Sequence, residues 1–70
     1  MKISARNVLK GKIIEVTKGA TTAHVKIDAG GGVVVTSSIT NQSVDDLKLE
    51  VGKEAYAVVK ASDVLVGVDD

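Results

Sequence analysis

Seventy residues allow one domain, and a core that small rarely supplies more than about 3–5 kcal/mol without a staple. There is no Cys, no Pro and one His, so disulfides and thiolate metal sites are excluded. Nine basic and nine acidic residues cancel, which argues against a polyanion partner but leaves room for one small anion in a local pocket of donors.

The hydrophobic fraction is 44% while aromatics are 1%, so the apolar surface is almost entirely Val, Ile, Leu and Ala. With the usual staples missing, burial between subunits is the simplest way to stabilise such a chain, and a homo-oligomer is expected. Met1-Lys2-Ile3-Ser4 lacks the apolar stretch of a secretion signal. No run approaches the roughly 18 apolar residues of a membrane span. The expectation is a soluble, cytoplasmic protein with no membrane partner.

In chain order, Ser4-Ala5-Arg6-Asn7 is too polar for a core segment. Val8 to Lys18 then reads as a first strand, with Leu9, Gly11 and Ile13 on one face. Val16 falls out of step, and a bulge near Ile14-Glu15 would return it to the inner side. Gly11 inside a strand marks a sharp bend or a close backbone approach. Lys18-Gly19-Ala20 is a turn in which Gly19 is free to take a positive φ.

Thr21 to Asp28 is the cleanest strand, with Ala23, Val25 and Ile27 alternating against Thr22, His24, Lys26 and Asp28. Ala29-Gly30-Gly31-Gly32 forms the hairpin connection to a third strand, Val33 to Ser38. The continuous Val33-Val34-Val35 run predicts burial on both sides, as at an interface. From Thr40 to Leu47 the period changes. Ser43 is a candidate cap for a short helical turn, with Asp45 and Asp46 near its N-terminus and Val44 and Leu47 pointing inward.

Val51-Gly52-Lys53-Glu54 turns into a fourth strand, where Ala55, Ala57 and Val59 alternate with Tyr56, Val58 and Lys60. After Ala61-Ser62-Asp63, the spacing of Val64, Val66 and Val68 predicts a fifth strand. Five short strands with a helical turn between the third and fourth match the order of a five-stranded OB-type barrel, all-β, occupying residues 1–70 as one domain.

Few residues carry chemistry. Ser4-Ala5-Arg6-Asn7 offers a guanidinium, polar side chains and free backbone N–H groups, which is what a tetrahedral dianion needs from several directions. The same stretch also reads as a solvated terminus. Lys60-Ala61-Ser62 places a cation and a hydroxyl between two strands, and equally reads as an edge lysine that deters aggregation beside an ordinary turn. Thr21-Thr22 and Ser37-Ser38-Ile39-Thr40 are hydroxyl-rich, but such residues at strand ends also satisfy local backbone. His24 stands alone on a polar face. The glycine triplet lacks the Lys-Ser/Thr ending of a phosphate loop. No nucleophile–base pair stands out, so an enzyme is the least favoured class.

Taken together, Ser4-Ala5-Arg6-Asn7 with Leu9 and Gly11, Thr40 and Ser43, Val51-Gly52 and Lys60-Ala61-Ser62 resemble the molybdate-binding Mop domain of the molbindin (Mop/TOBE) family, over nearly the whole chain. The resemblance implies an OB-type barrel assembled as a homohexamer, a trimer of dimers. It implies molybdate or tungstate bound at subunit interfaces, no organic cofactor and no bare metal cation, in a cytoplasmic store or buffer. Carried over by position, Ser4, Ala5, Arg6 and Asn7 would come from one subunit and Thr40, Lys60, Ala61 and Ser62 from another. A second kind of oxyanion site near symmetry axes falls at Gly19, Ala20, Thr22 and Ser38. Two other classes compete. One is an OB fold that binds nucleic acid, which normally stacks bases on aromatics this chain lacks; the other is a purely structural module.

Overall fold

Period-two alternation of β-branched residues produces one antiparallel sheet in the computed structural model, which describes Met1–Asp70. The strands are β1 (Asn7–Lys18), β2 (Thr22–Gly30), β3 (Val33–Thr40) and β4 (Glu54–Val59), with a short helix α1 (Asn41–Asp46) between β3 and β4. Their order in the sheet is β3-β2-β1-β4. The long β1 serves two partners: Asn7 to Lys12 pair with β4, and Lys12 to Lys18 pair with β2.

The bulge falls where the alternation requires it. Ile13 pairs with Ile27 and Glu15 with Lys26, so Ile14 is the extra residue. Ile13 and Val16 thereby both face inward, and Ile14 is exposed. Gly11 sits where β1 crosses β2 closely. A Cβ there would lie 2.7 Å from Ile27 Cγ2 and closer still to the Asp28 carbonyl oxygen. Gly19 also serves close approach rather than a positive φ: its missing Cβ would stand 2.9 Å from the Thr22 carbonyl oxygen.

The core is small: Ile13, Ala23, Val25, Ile27, Val44 and Ala57 are buried, with Leu9, Val16, Val35, Ile39, Leu49 and Ala55 packed around them. The inward alternation expected for the second and fourth strands therefore holds. Val33 and Val34 do not follow expectation. They are half exposed because β3 is a sheet edge with nothing packed beyond it.

The helix differs from expectation at both ends. Its cap is Thr40, whose Oγ1 accepts from the Ser43 backbone N–H at 3.1 Å and lies 2.8 Å from the Ser43 hydroxyl. Asp45 and Asp46 consequently sit in its last turn, where they pair with Lys18 and Gln42. At the C-terminus Lys48 adopts φ 54°. The Leu49 N–H then donates to the Val44 carbonyl and the Lys48 N–H to the Asp45 carbonyl, a Schellman ending. That reversal turns Leu49 toward the core and leaves Leu47 61% exposed.

The fifth strand is absent. After β4 the chain makes a single 3-10 turn at Ala61–Asp63. The following segment pairs with nothing: Val64 is 50% exposed, Leu65 93%, Val66 91% and Val68 87%. The valine spacing suits a strand, but a strand also needs an edge, and this tail does not lie on one. The result is an OB-like, four-stranded half-barrel with free edges at β3 and β4. No helix is long and apolar enough to cross a membrane.

Candidate functional site

The pairing of β1 with β4 decides which polar residues meet. Asn7, the first residue of β1, pairs with Val59, the last of β4. Because the strands are antiparallel, residues 4–6 before β1 emerge at the same end of the sheet as residues 60–62 after β4. Asn7 Nδ2 donates to the Val59 carbonyl at 3.4 Å and ties this end together.

Beyond that tie lies an open cleft of about 420 Å³ lined by Ser4, Ala5, Arg6, Lys60, Ala61 and Ser62, with Ile3 and Val58 as apolar walls. The two polar clusters thus adjoin within a single chain. Arg6 and Lys60 bring two cationic side chains, and no carboxylate lines the cleft. Neither cation is spent in an ion pair, in contrast to Lys10, Lys18 and Lys26. The turn at Ala61–Asp63 uses the Asp63 and Val64 N–H groups for its own bonds, and no side chain caps it. Its first N–H groups, at Ala61 and Ser62, are therefore free to donate. Hydroxyls at Ser4 and Ser62 complete a set rich in donors, suited to a small oxyanion.

Thr40 is not in this cleft. It pairs with Thr22 across β2 and β3, and its hydroxyl is engaged in capping α1. Thr22, His24, Ser38 and Thr40 instead share one exposed face, since Thr22 pairs with Thr40 and His24 with Ser38. Gly19 and Ala20 form the adjoining turn, where the Gly19 N–H donates to the Thr22 carbonyl at 2.8 Å. The Gly19 carbonyl accepts from Asn41 Nδ2 at 2.9 Å. Asn41 Oδ1 is buried there without a partner, an acceptor that repels an oxyanion. Gly19, Ala20, Thr22 and Ser38 are thus neighbours, but as an open surface poorer in charge than the cleft. Sequence reasoning missed the walls Ile3 and Val58; the signal for Val58 was its place two residues before Lys60, on the same outward side of β4.

Residues 3–66 match the TOBE domain family. The chain belongs to that family, in its molbindin (Mop) branch. A probable molybdenum-pterin-binding protein of Haemophilus influenzae is 55% identical over 69 residues, covering 99% of this chain and 100% of that protein. The solved structure of MopII from Clostridium pasteurianum, in an apo form, superposes with a TM-score of 0.90 at 45% identity, over 96% of this chain and 100% of that one. ModG, described as a cytoplasmic molybdate-binding protein and solved with molybdate bound, gives a TM-score of 0.93 at 40% identity, over 99% of this chain and 49% of that one. The TOBE chain described here thus shares its half-barrel and short helix with molbindins of known structure.

Proposed function

We propose that this TOBE chain binds molybdate or tungstate in the cleft between Ser4–Arg6 and Lys60–Ser62, and that it acts as a store or buffer in the cytoplasm rather than as an enzyme. The observation that carries this reading is the convergence of two unpaired cations, two hydroxyls and free backbone N–H groups in one cleft without a carboxylate. A tetrahedral dianion is matched in formal charge by Arg6 and Lys60, and the neutral donors set its size and orientation. The names of the relatives, which bind molybdenum species, support the same ligand.

The working unit in this proposal is a homohexamer, a trimer of dimers, built from single domains spanning residues 1–70. The open cleft would be completed at a subunit boundary, with Asn7 positioning the strand ends and Thr40 brought in by a neighbouring copy. The face of Gly19, Ala20, Thr22 and Ser38 would form the second kind of site where copies meet. Bound oxyanion then stabilises the assembly by mass action. No organic cofactor and no nucleic acid enters the scheme. Because neutral hydrogen bonds do much of the work, selection follows size, and sulfate should be disfavoured.

The test is calorimetric titration with molybdate, with sulfate as competitor, on protein whose assembly mass is measured in the same buffer. Tight binding that survives excess sulfate is expected of an oligomer. Absence of binding by folded protein, or equal binding of sulfate, would overturn the reading.

A further inference from the structure

The nine basic and nine acidic residues cancel in number but not in place. Lys10, Lys18 and Lys26 are ion-paired with Glu54, Asp45 and Glu15. Lys12 stands opposite Asp28 in one ladder and opposite Glu54 in the other. Lys53 donates to the Leu47 and Lys48 carbonyls at 3.2 and 3.0 Å, and Lys48 lies in the chain between Asp46 and Glu50. The cations left without a carboxylate are Lys2, Arg6 and Lys60. All three gather at the end of the sheet where β1 begins and β4 stops.

The oxyanion cleft has a neighbour at that end. A second open cleft, of about 490 Å³, is lined by Met1, Lys2, Ile3, Ala5, Val8 and Tyr56. It shares Ile3 and Ala5 with the first. Lys2 is its one charged residue, and the rest of its wall is aliphatic or aromatic. No carboxylate lines either cleft, and Asp63, three residues after Lys60, is outside both.

We infer that Lys2 is the outer cation of a funnel that draws a dianion toward the oxyanion cleft, and that it acts on the rate of association. The inference rests on the oxyanion site of the proposed function. Two residues separate Lys2 from Ser4, a span of at most about 7 Å. That is inside the Debye length of about 8–10 Å at ordinary ionic strength. The apolar wall strengthens the effect, because a low-dielectric lining concentrates the field of a charge in the water of the cleft. Lys2 does not line the oxyanion cleft itself. An ion at the entrance therefore already feels its attraction, and the final step past Arg6 and Lys60 does not depend on it. Association is raised while release is left unchanged. A dianion feels this attraction twice as strongly as a monoanion, so the funnel also favours the charge class of the ligand.

Uptake and release of radiolabelled molybdate would be timed by rapid filtration for the unmodified protein and for Lys2→Gln, Lys2→Glu and Lys2→Arg. At 0.01 M ionic strength the Debye length is about 30 Å, and association should slow about threefold in Lys2→Gln and about 5–10-fold in Lys2→Glu. Lys2→Arg should match the unmodified protein. Near 1 M salt, where the Debye length is about 3 Å, the differences should vanish. Release rates should agree across all four proteins at either salt. Lys2 is exposed and lies outside every strand and helix, so the variants keep the fold and their circular dichroism should superpose. Association unchanged by charge reversal, a loss that persists near 1 M salt, or a loss that shows in release would each overturn the inference. An unmodified protein that takes up no molybdate would bring down the oxyanion reading and the funnel with it. Uptake at a rate indifferent to residue 2 would remove the funnel alone.

Discussion

The inward face of β2 and the outer ends of β1 and β4 belong to one sheet but are maintained on different terms. Ala23, Val25 and Ile27 are buried against Ile13, Val44 and Ala57, so their place follows from the transfer of apolar surface out of water. Ser4, Arg6, Lys60 and Ser62 are exposed and make no side-chain bonds with one another. Their place follows only from the strand pairing beneath them. In the proposed reading, stability and binding are consequently separable: one region holds the sheet, and the other uses the sheet as a rigid spacer between two charges.

Substitutions can break or sharpen that separation. The largest effect is expected from Ile13→Ala, because Ile13 is fully buried and such truncations cost about 2–5 kcal/mol. In so small a domain that is close to the whole stability, and urea unfolding should show it; an unchanged midpoint would mean the core lies elsewhere. Lys60→Ala should behave oppositely, with an unchanged urea midpoint and molybdate affinity down about 10–100-fold, since a charged hydrogen bond is worth about 1.5–3 kcal/mol. Full affinity in this variant would remove the cleft from the account. Gly11→Ala should destabilise by about 1–3 kcal/mol through collision with Ile27 and the Asp28 carbonyl, which thermal unfolding would detect. The smallest effect is expected for Thr40→Ala, which loses the α1 cap and about 1 kcal/mol; Thr40→Ser should restore most of it.

The same contrast governs what could be read from the residues in advance. Alternation alone locates Ala23, Val25 and Ile27 in the core, and the misphased Val16 locates the bulge, because both are consequences of a period of two. The helix was legible as a short turn, but Thr40 and Ser43 are both able to cap. A left-handed Lys48, where glycine is usual, hid the exchange of Leu49 for Leu47. Val64–Val68 carries a strand pattern that its own chain does not use, since pairing depends on an edge and not on side-chain type alone. The convergence of Ser4–Arg6 with Lys60–Ser62 within one chain depends on the register of Asn7 with Val59, which no local pattern encodes; the family resemblance groups these residues but assigns the two clusters to different subunits. That resemblance groups Thr40 with the cleft, whereas within one chain it stands with Thr22 and Ser38.

Diffraction data collected across the molybdenum absorption edge, from crystals grown with molybdate, would locate the ligand without reference to affinity. An anomalous peak is expected in the cleft, with the oxygens around it about 3 Å from donors on Ser4–Arg6 and Lys60–Ser62. Molybdenum found only at the Thr22–Ser38 face, or no ordered molybdenum in a well-folded assembly, would contradict it.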